Sequence, residues 1–205
     1  MKINTLLSLC KKEKTFLLFN EYDEKSGIIV RQYISDGGAA YVLDDMPILD
    51  EQSVTAVAGI PKEKARGYNV HVREGFPSGM DFGDMDTDDA DVYEPSVFVR
   101  FGGRDMKPII VGAQLYWIDA RYLSPLLDEM ETISLVIRKT DGGRPYIVAL
   151  NGFVFRAAIF PLRLTERAGE TSRAMQEITL LSKKIEALVD TDKPKEEEDD
   201  EEAEE

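Results

Sequence analysis

The sequence predicts an α+β fold in which antiparallel sheets carry short helices, followed by a C-terminal helix and a disordered acidic tail. Three observations lead there. Short runs rich in Val, Ile, Tyr and Phe are separated by Asp-Gly-Gly, Gly-Gly and Asn-Gly strings, whose residues tolerate the positive φ of tight hairpins. Helical apolar spacing is confined to brief stretches until about residue 171. Hydrophobic residues make up 43% of the chain, enough for a real core.

The elements follow in order. A first helix is expected over about 3–12, with Ile3, Leu6, Leu7 and Cys10 inward; this suits the N-terminus better than a signal peptide does. Strands are expected at 15–22, 27–34 and 39–43. Pro47 and Asp50 mark entry to a short helix near 51–58, and Gly59 and Pro61 end it. Tyr68, Val70 and Val72 alternate with Asn69, His71 and Arg73, as in a strand. Further strands are expected at 97–101 and 109–116, with Gly102-Gly103 between them. Asp119 caps a short helix in which Pro125 forces a kink or a late start at Ser124. Strands at 133–138, 146–150 and 153–159 close the body. Ala174, Ile178, Leu181, Ile185 and Leu188 form an apolar seam on a last helix over about 171–189, docked on the body or, less simply, paired as a short coil.

This gives an N-terminal α+β unit (1–75), an acidic connector (76–95), a C-terminal α+β unit (96–165), an amphipathic helix (166–190) and a tail (191–205). The tail is low in complexity and self-repelling, so it is expected to stay disordered and to be dispensable for folding. The net charge of −14 is concentrated. Residues 192–205 hold 10 acids, and residues 81–94 hold 7 acids and no base. Elsewhere 22 acids face 23 bases, so the low pI of about 4.6 does not exclude nucleic acid. The single Cys10 excludes an intramolecular disulfide and suits the cytoplasm. No apolar run approaches the length of a membrane span.

The string D-G-G-x-x-Y occurs twice, at Asp36–Tyr41 and Asp141–Tyr146. It marks either a diverged duplication or one turn chemistry used twice. If the halves are duplicates, Tyr41 and Tyr146 should occupy equivalent places on one sheet face.

The stretch from "IIVGAQLYWIDARYLSPLLDEME" to "FRAAIFPLRL" resembles the last domain of bacterial DNA sliding clamps. There an extended strand enters a short N-P-x-Y-L-L-x-x-L helix, strands follow, and the chain closes on P-x-R-L. Asp119, Arg121, Tyr122, Leu123, Leu126 and Leu127 match the helix; Pro161, Leu162, Arg163 and Leu164 match the close. The resemblance covers about 55 residues. It implies clamp-like sheets with short helices on one face, a non-enzymatic role in DNA replication or metabolism, possible homo-oligomers, and partner capture near 161–164. A phage or mobile-element origin would suit so reduced a form. The helix here differs in carrying Asp119, Asp128, Glu129 and Glu131, with Arg121 its only base, and the chain continues past P-x-R-L. The basic residues expected to meet DNA are therefore Lys11, Lys12 and Lys14 at the end of the first helix, and Lys62, Lys64 and Arg66 after the second.

Other chemistry is sparse. His71 is the only histidine, and no P-loop, nucleophile elbow or metal-spaced cluster appears, so no catalytic residue, metal or cofactor is expected. Asp84, Asp86 and Asp88 begin like a calcium loop, but Asp89 stands where that loop needs Gly and Pro95 where it needs Glu. Two alternatives stand beside the clamp-like expectation. One is a single-stranded DNA-binding protein using the aromatic and basic residues of "VFVRFGGR" and "FVFRAAIF". The other is a structural or interaction protein with no nucleic-acid role.

Overall fold

A left-handed residue turns the first helix into the sheet. In α1 (Ile3–Glu13) Leu6, Leu7, Leu9 and Cys10 form a buried face. Lys14 follows at φ 51°, and its N–H closes on the Cys10 and Lys11 carbonyls. The chain then enters β1 (Thr15–Tyr22), β2 (Ile29–Ser35) and β3 (Ala39–Val42), paired antiparallel. The computed structural model describes residues 1–77, 79–101, 103–162 and 180–188. The chain divides into two units, 1–162 and 163–205.

Helix α2 (Glu51–Val57) starts on a capping box. The Asp50 carboxylate accepts from the Gln52 and Ser53 N–H groups, and the Ser53 hydroxyl accepts from the Asp50 N–H. A one-turn α3 (Lys62–Ala65) leads to β4 (Asn69–Glu74), which lies parallel to β1. After β5 (Ala90–Asp91) come β6 (Val99–Phe101), β7 (Arg104–Val111) and β8 (Gln114–Asp119), a separate three-stranded sheet. The strand expected at 109–116 is instead the turn region of the β7–β8 hairpin. Gly112, at φ 55°, supplies the reversal that the apolar flanks conceal. The segment after Asp119 is a 3₁₀ helix (Ala120–Glu129) capped by Asp119, and Pro125 removes a donor from its middle. Strands β9 (Ile133–Lys139), β10 (Pro145–Asn151) and β11 (Val154–Ile159) complete the order β4-β1-β2-β3-β11-β10-β9-β5. The β3–β11 pairing, Tyr41 opposite Ala157, joins the N- and C-terminal parts in one sheet.

Each part contributes a helix followed by three antiparallel strands, and both helices lie on the same face. Leu6, Leu7, Leu9 and Cys10 of α1 meet Tyr122, Leu123 and Leu126 over Ile34, Tyr41, Ile147 and Ala157. The Lys2 N–H donates to the Pro125 carbonyl at 2.7 Å, linking the helices. The two Asp-Gly-Gly turns are nevertheless not counterparts. Residues 36–38 join the second and third strands of their set, whereas 141–143 join the first and second. Tyr41 lies on the helical face and Tyr146 on the other. The shared string is turn chemistry used twice.

The opposite face is covered by residues 76–82 of the segment expected to be only an acidic connector between two units. Phe76, Met80 and Phe82 pack against Tyr33, Phe155 and Val148. Phe82 stacks on Phe155 at 5.2 Å, and Phe76 meets Tyr33 edge-on at 4.9 Å. Aromatic residues spaced through the acid run thus make it a layer of the fold.

Gly38 approaches the helical face so closely that a Cβ there would lie 2.0 Å from the Tyr122 hydroxyl and 2.5 Å from its ring. Gly38→Ala is expected to cost about 1–3 kcal/mol by overpacking, read from urea unfolding. An unchanged midpoint would show that the Tyr122 ring moves aside freely.

Glu129 accepts from Arg156 at 2.9 Å twice and from Asn151 at 2.9 Å, while Arg156 also reaches Asp44. Burial pushes the Glu129 pKa up, but hydrogen bonds from Arg156, the N-terminal ammonium and Asn151 outweigh it and bring it to about 2. A depressed pKa contributes stability above the unfolded value of 4.5 that is lost as pH falls towards about 2. Glu129→Gln is expected to flatten the stability–pH curve in that window; a curve as steep as that of the wild type would contradict the assignment.

In the second unit residues 180–188 are helical. Ile185 is buried, while Leu181 and Leu188 are 37% and 64% exposed. Ala174, Ile178 and the acidic tail lie outside the described residues.

Candidate nucleic-acid interface

Parallel pairing of β4 with β1 brings the two expected basic clusters to one corner. The Asn69 N–H donates to the Lys14 carbonyl at 2.8 Å, and Thr15 lies opposite Asn69 in the ladder. Arg66 precedes Asn69 by three residues, at most about 10 Å of chain. Lys62 and Lys64 sit one turn earlier on α3. The Tyr68 ring, 5.9 Å from Phe16, pins this segment to the sheet. Lys12, Lys14, Lys62, Lys64 and Arg66 are exposed, and Lys11 is half-buried. Among the described residues none of the six has an ion-pair partner. His71 and Arg73, exposed on β4, extend the same edge; alternation alone does not reveal which strand β4 joins.

Arg121 is differently placed. Its guanidinium donates to Glu13 at 2.7 Å and to the Tyr122 hydroxyl at 2.8 Å, and its Nε lies 3.0 Å from Asp119. This pairing partly offsets the charge of Glu13, which stands between Lys12 and Lys14. Burial pushes the Tyr122 phenol up to about 12, with the Asp36 charge adding to the effect.

The far end of the same sheet is acidic. Strand β5 occupies that edge, and Asp86, Asp88 and Asp91 around it are exposed. Asp84 accepts from the Phe155 N–H at 3.0 Å and contacts Arg31. Among the described residues no His, Cys, Asp or Glu side chains gather as a metal site would require. Cys10 is fully buried, which pushes its thiol pKa up and leaves it protonated packing.

Of the residues expected to meet a partner, Pro161 and Leu162 are half-buried. The Leu162 N–H donates to the Trp117 carbonyl at 2.8 Å, so this stretch lies along β8. Arg163 and Leu164 lie outside the described residues. Among the aromatic strings, Phe155 is core and Arg156 is engaged with Glu129, whereas Phe98 and Phe101 are exposed. No helix among the described residues is long and apolar enough to cross a membrane. No family model, curated protein or solved structure matches this chain.

Proposed function

We propose that this chain is a non-enzymatic, clamp-like protein of DNA replication or metabolism that holds duplex DNA by its phosphate backbone, without base readout. The observation that supports this reading is the corner of six cations, Lys11, Lys12, Lys14, Lys62, Lys64 and Arg66, drawn from two separate elements and without an ion-pair partner among the described residues. Elsewhere the described buried or half-buried arginines, Arg31, Arg121, Arg138 and Arg156, are all engaged with acids. Unpaired cations on one rigid edge are what a polyanion requires, since each phosphate contact releases counterions.

The charge of the sheet ends supports assembly as well. A basic β4 end and an acidic β5 end suit head-to-tail contacts between copies, which close into a ring when the rotation permits. The partners in this reading are DNA, further copies of the chain, and replication or recombination proteins in the cytoplasm. Light scattering at low and high salt tests the assembly. Mass above that of one chain at low salt, falling as salt rises, is expected; a monomer at every salt concentration would remove the ring from the proposal. Duplex titration, described below, tests the DNA contact itself.

A further inference from the structure

The turn between β10 and β11 carries a large apolar residue at its tip. Gly152, at φ 60°, permits a two-residue reversal in which Asn151 pairs with Val154. Phe153 completes that reversal and is 74% exposed, more than any other large apolar side chain among the described residues. It belongs to neither core, and the position after a turn glycine favours Asn, Asp or Ser, so folding does not call for a ring there. Two like segments flank the turn. Beside β11 the Met85 N–H donates to the Phe153 carbonyl at 2.8 Å, and beside β10 the Gly152 N–H donates to the Thr132 carbonyl at 3.3 Å. The first segment reads Asp84-Met85-Asp86-Thr87 and the second Glu129-Met130-Glu131-Thr132, with no Lys or Arg in either. Met85 and Val154, the backbone neighbours of Phe153, are each 46% exposed. Of the four carboxylates, Asp84 contacts Arg31 and Glu129 holds Arg156. Asp86 and Glu131 are exposed, and among the described residues neither has an ion-pair partner.

We propose that the β10–β11 tip, Phe153 with Met85 and Val154 between Asp86 and Glu131, is a docking point for a basic segment of a partner protein, one in which apolar side chains alternate with Lys or Arg. Contiguous exposed apolar side chains rimmed by polar ones mark a contact surface. The Phe153 ring offers a rigid anchor, and the flexible thioether of Met85 adapts to the side chain laid against it. Cations on either side of that side chain meet the two carboxylates. Those same carboxylates repel nucleic acid and anionic lipid, so the charge of the rim selects a cationic partner. This surface stands apart from the basic corner, and the inference does not depend on the clamp-like reading.

The test is fluorescence anisotropy of the full chain at low salt with short labelled peptides in which Lys alternates with Leu, Lys with Ser, or Glu with Leu. The acids of residues 192–205 attract any basic peptide, and the Lys–Ser peptide measures that background. The Lys–Leu peptide is expected to bind about tenfold more tightly than the Lys–Ser peptide, as an anchored apolar contact requires. Phe153→Ser/Met85→Ser is expected to remove that preference, and Phe153→Trp to keep it. Asp86→Asn/Glu131→Gln is expected to weaken Lys–Leu binding and to lower its salt dependence. Both apolar side chains are exposed, so the unfolding midpoint should not move. No preference in the wild-type chain, or a preference that survives in the double-serine variant, would overturn the proposal. Equal binding of the Glu–Leu and Lys–Leu peptides would overturn it too, since the acid rim would then select nothing. Loss of duplex binding alone would overturn the clamp-like reading and not this one.

Discussion

Arg138→Ala is expected to lower the stability of the 1–162 unit by about 3–5 kcal/mol, because it strands a buried carboxylate. Arg138 stands on β9 beneath the connector. Its guanidinium meets Asp89 at 2.6 and 2.7 Å, the Gly83 carbonyl at 2.7 Å and the Asp84 carbonyl at 2.9 Å. Side-chain exposure is 7% for Arg138 and 2% for Asp89, so water does not replace what is lost. Burial raises the Asp89 pKa, yet the hydrogen bonds from Arg138 and from the Asp86 N–H to its carboxylate leave it below the ordinary value. Lysine is not expected to substitute, since a point charge cannot serve a carboxylate and two carbonyls in one plane. Urea unfolding gives the size of the effect, and limited proteolysis locates it: cleavage should concentrate between residues 76 and 91. A loss below about 1 kcal/mol would mean that the aromatic contacts of Phe76 and Phe82 hold the connector unaided.

The second large effect is on binding. Lys11→Glu/Lys12→Glu/Lys14→Glu is expected to abolish duplex binding at about 200 mM salt while leaving the fold intact. The side chains of Lys12 and Lys14 are exposed, and Lys11 is half-buried at the end of α1. Reversal replaces three attractive charges with three repulsive ones beside Lys62, Lys64 and Arg66. The cost to the helix is expected to be small, since acids near a helix C-terminus are disfavoured by about 0.3–1 kcal/mol each. Circular dichroism separates the two effects. A variant that folds and binds duplex as before would place the DNA contact elsewhere or nowhere.

Local chemistry was legible in the sequence. Asp50 and Asp119 announce helix starts because a carboxylate satisfies the first free N–H groups, and both do so. The aromatic and β-branched content of β1 and β10 and the Asn151-Gly152 turn were legible too. What pairs with what was not legible. Nothing in "YNVHVRE" says that it joins β1 in parallel, yet that pairing alone brings Lys62, Lys64 and Arg66 to Lys14. Nothing in "AAYV" names β11 as its neighbour, and through that neighbour two expected units become one sheet. The connector misled because charge dominates its composition. Phe76, Met80 and Phe82 are too widely spaced to form a periodic pattern, and the arginine that receives its acids lies about 50 residues away. Gly112 was hidden by apolar flanks that continue through it as if in one strand.

The central claim is that the six-cation corner holds duplex DNA by its phosphates. The measurement that bears on it most directly is the salt dependence of binding to two duplexes of unrelated sequence. If all six cations engage, log K should fall linearly with log salt with a slope of about −5, equal for the two sequences. No binding at about 50 mM salt, or an affinity that differs between the sequences and ignores salt, would contradict the account.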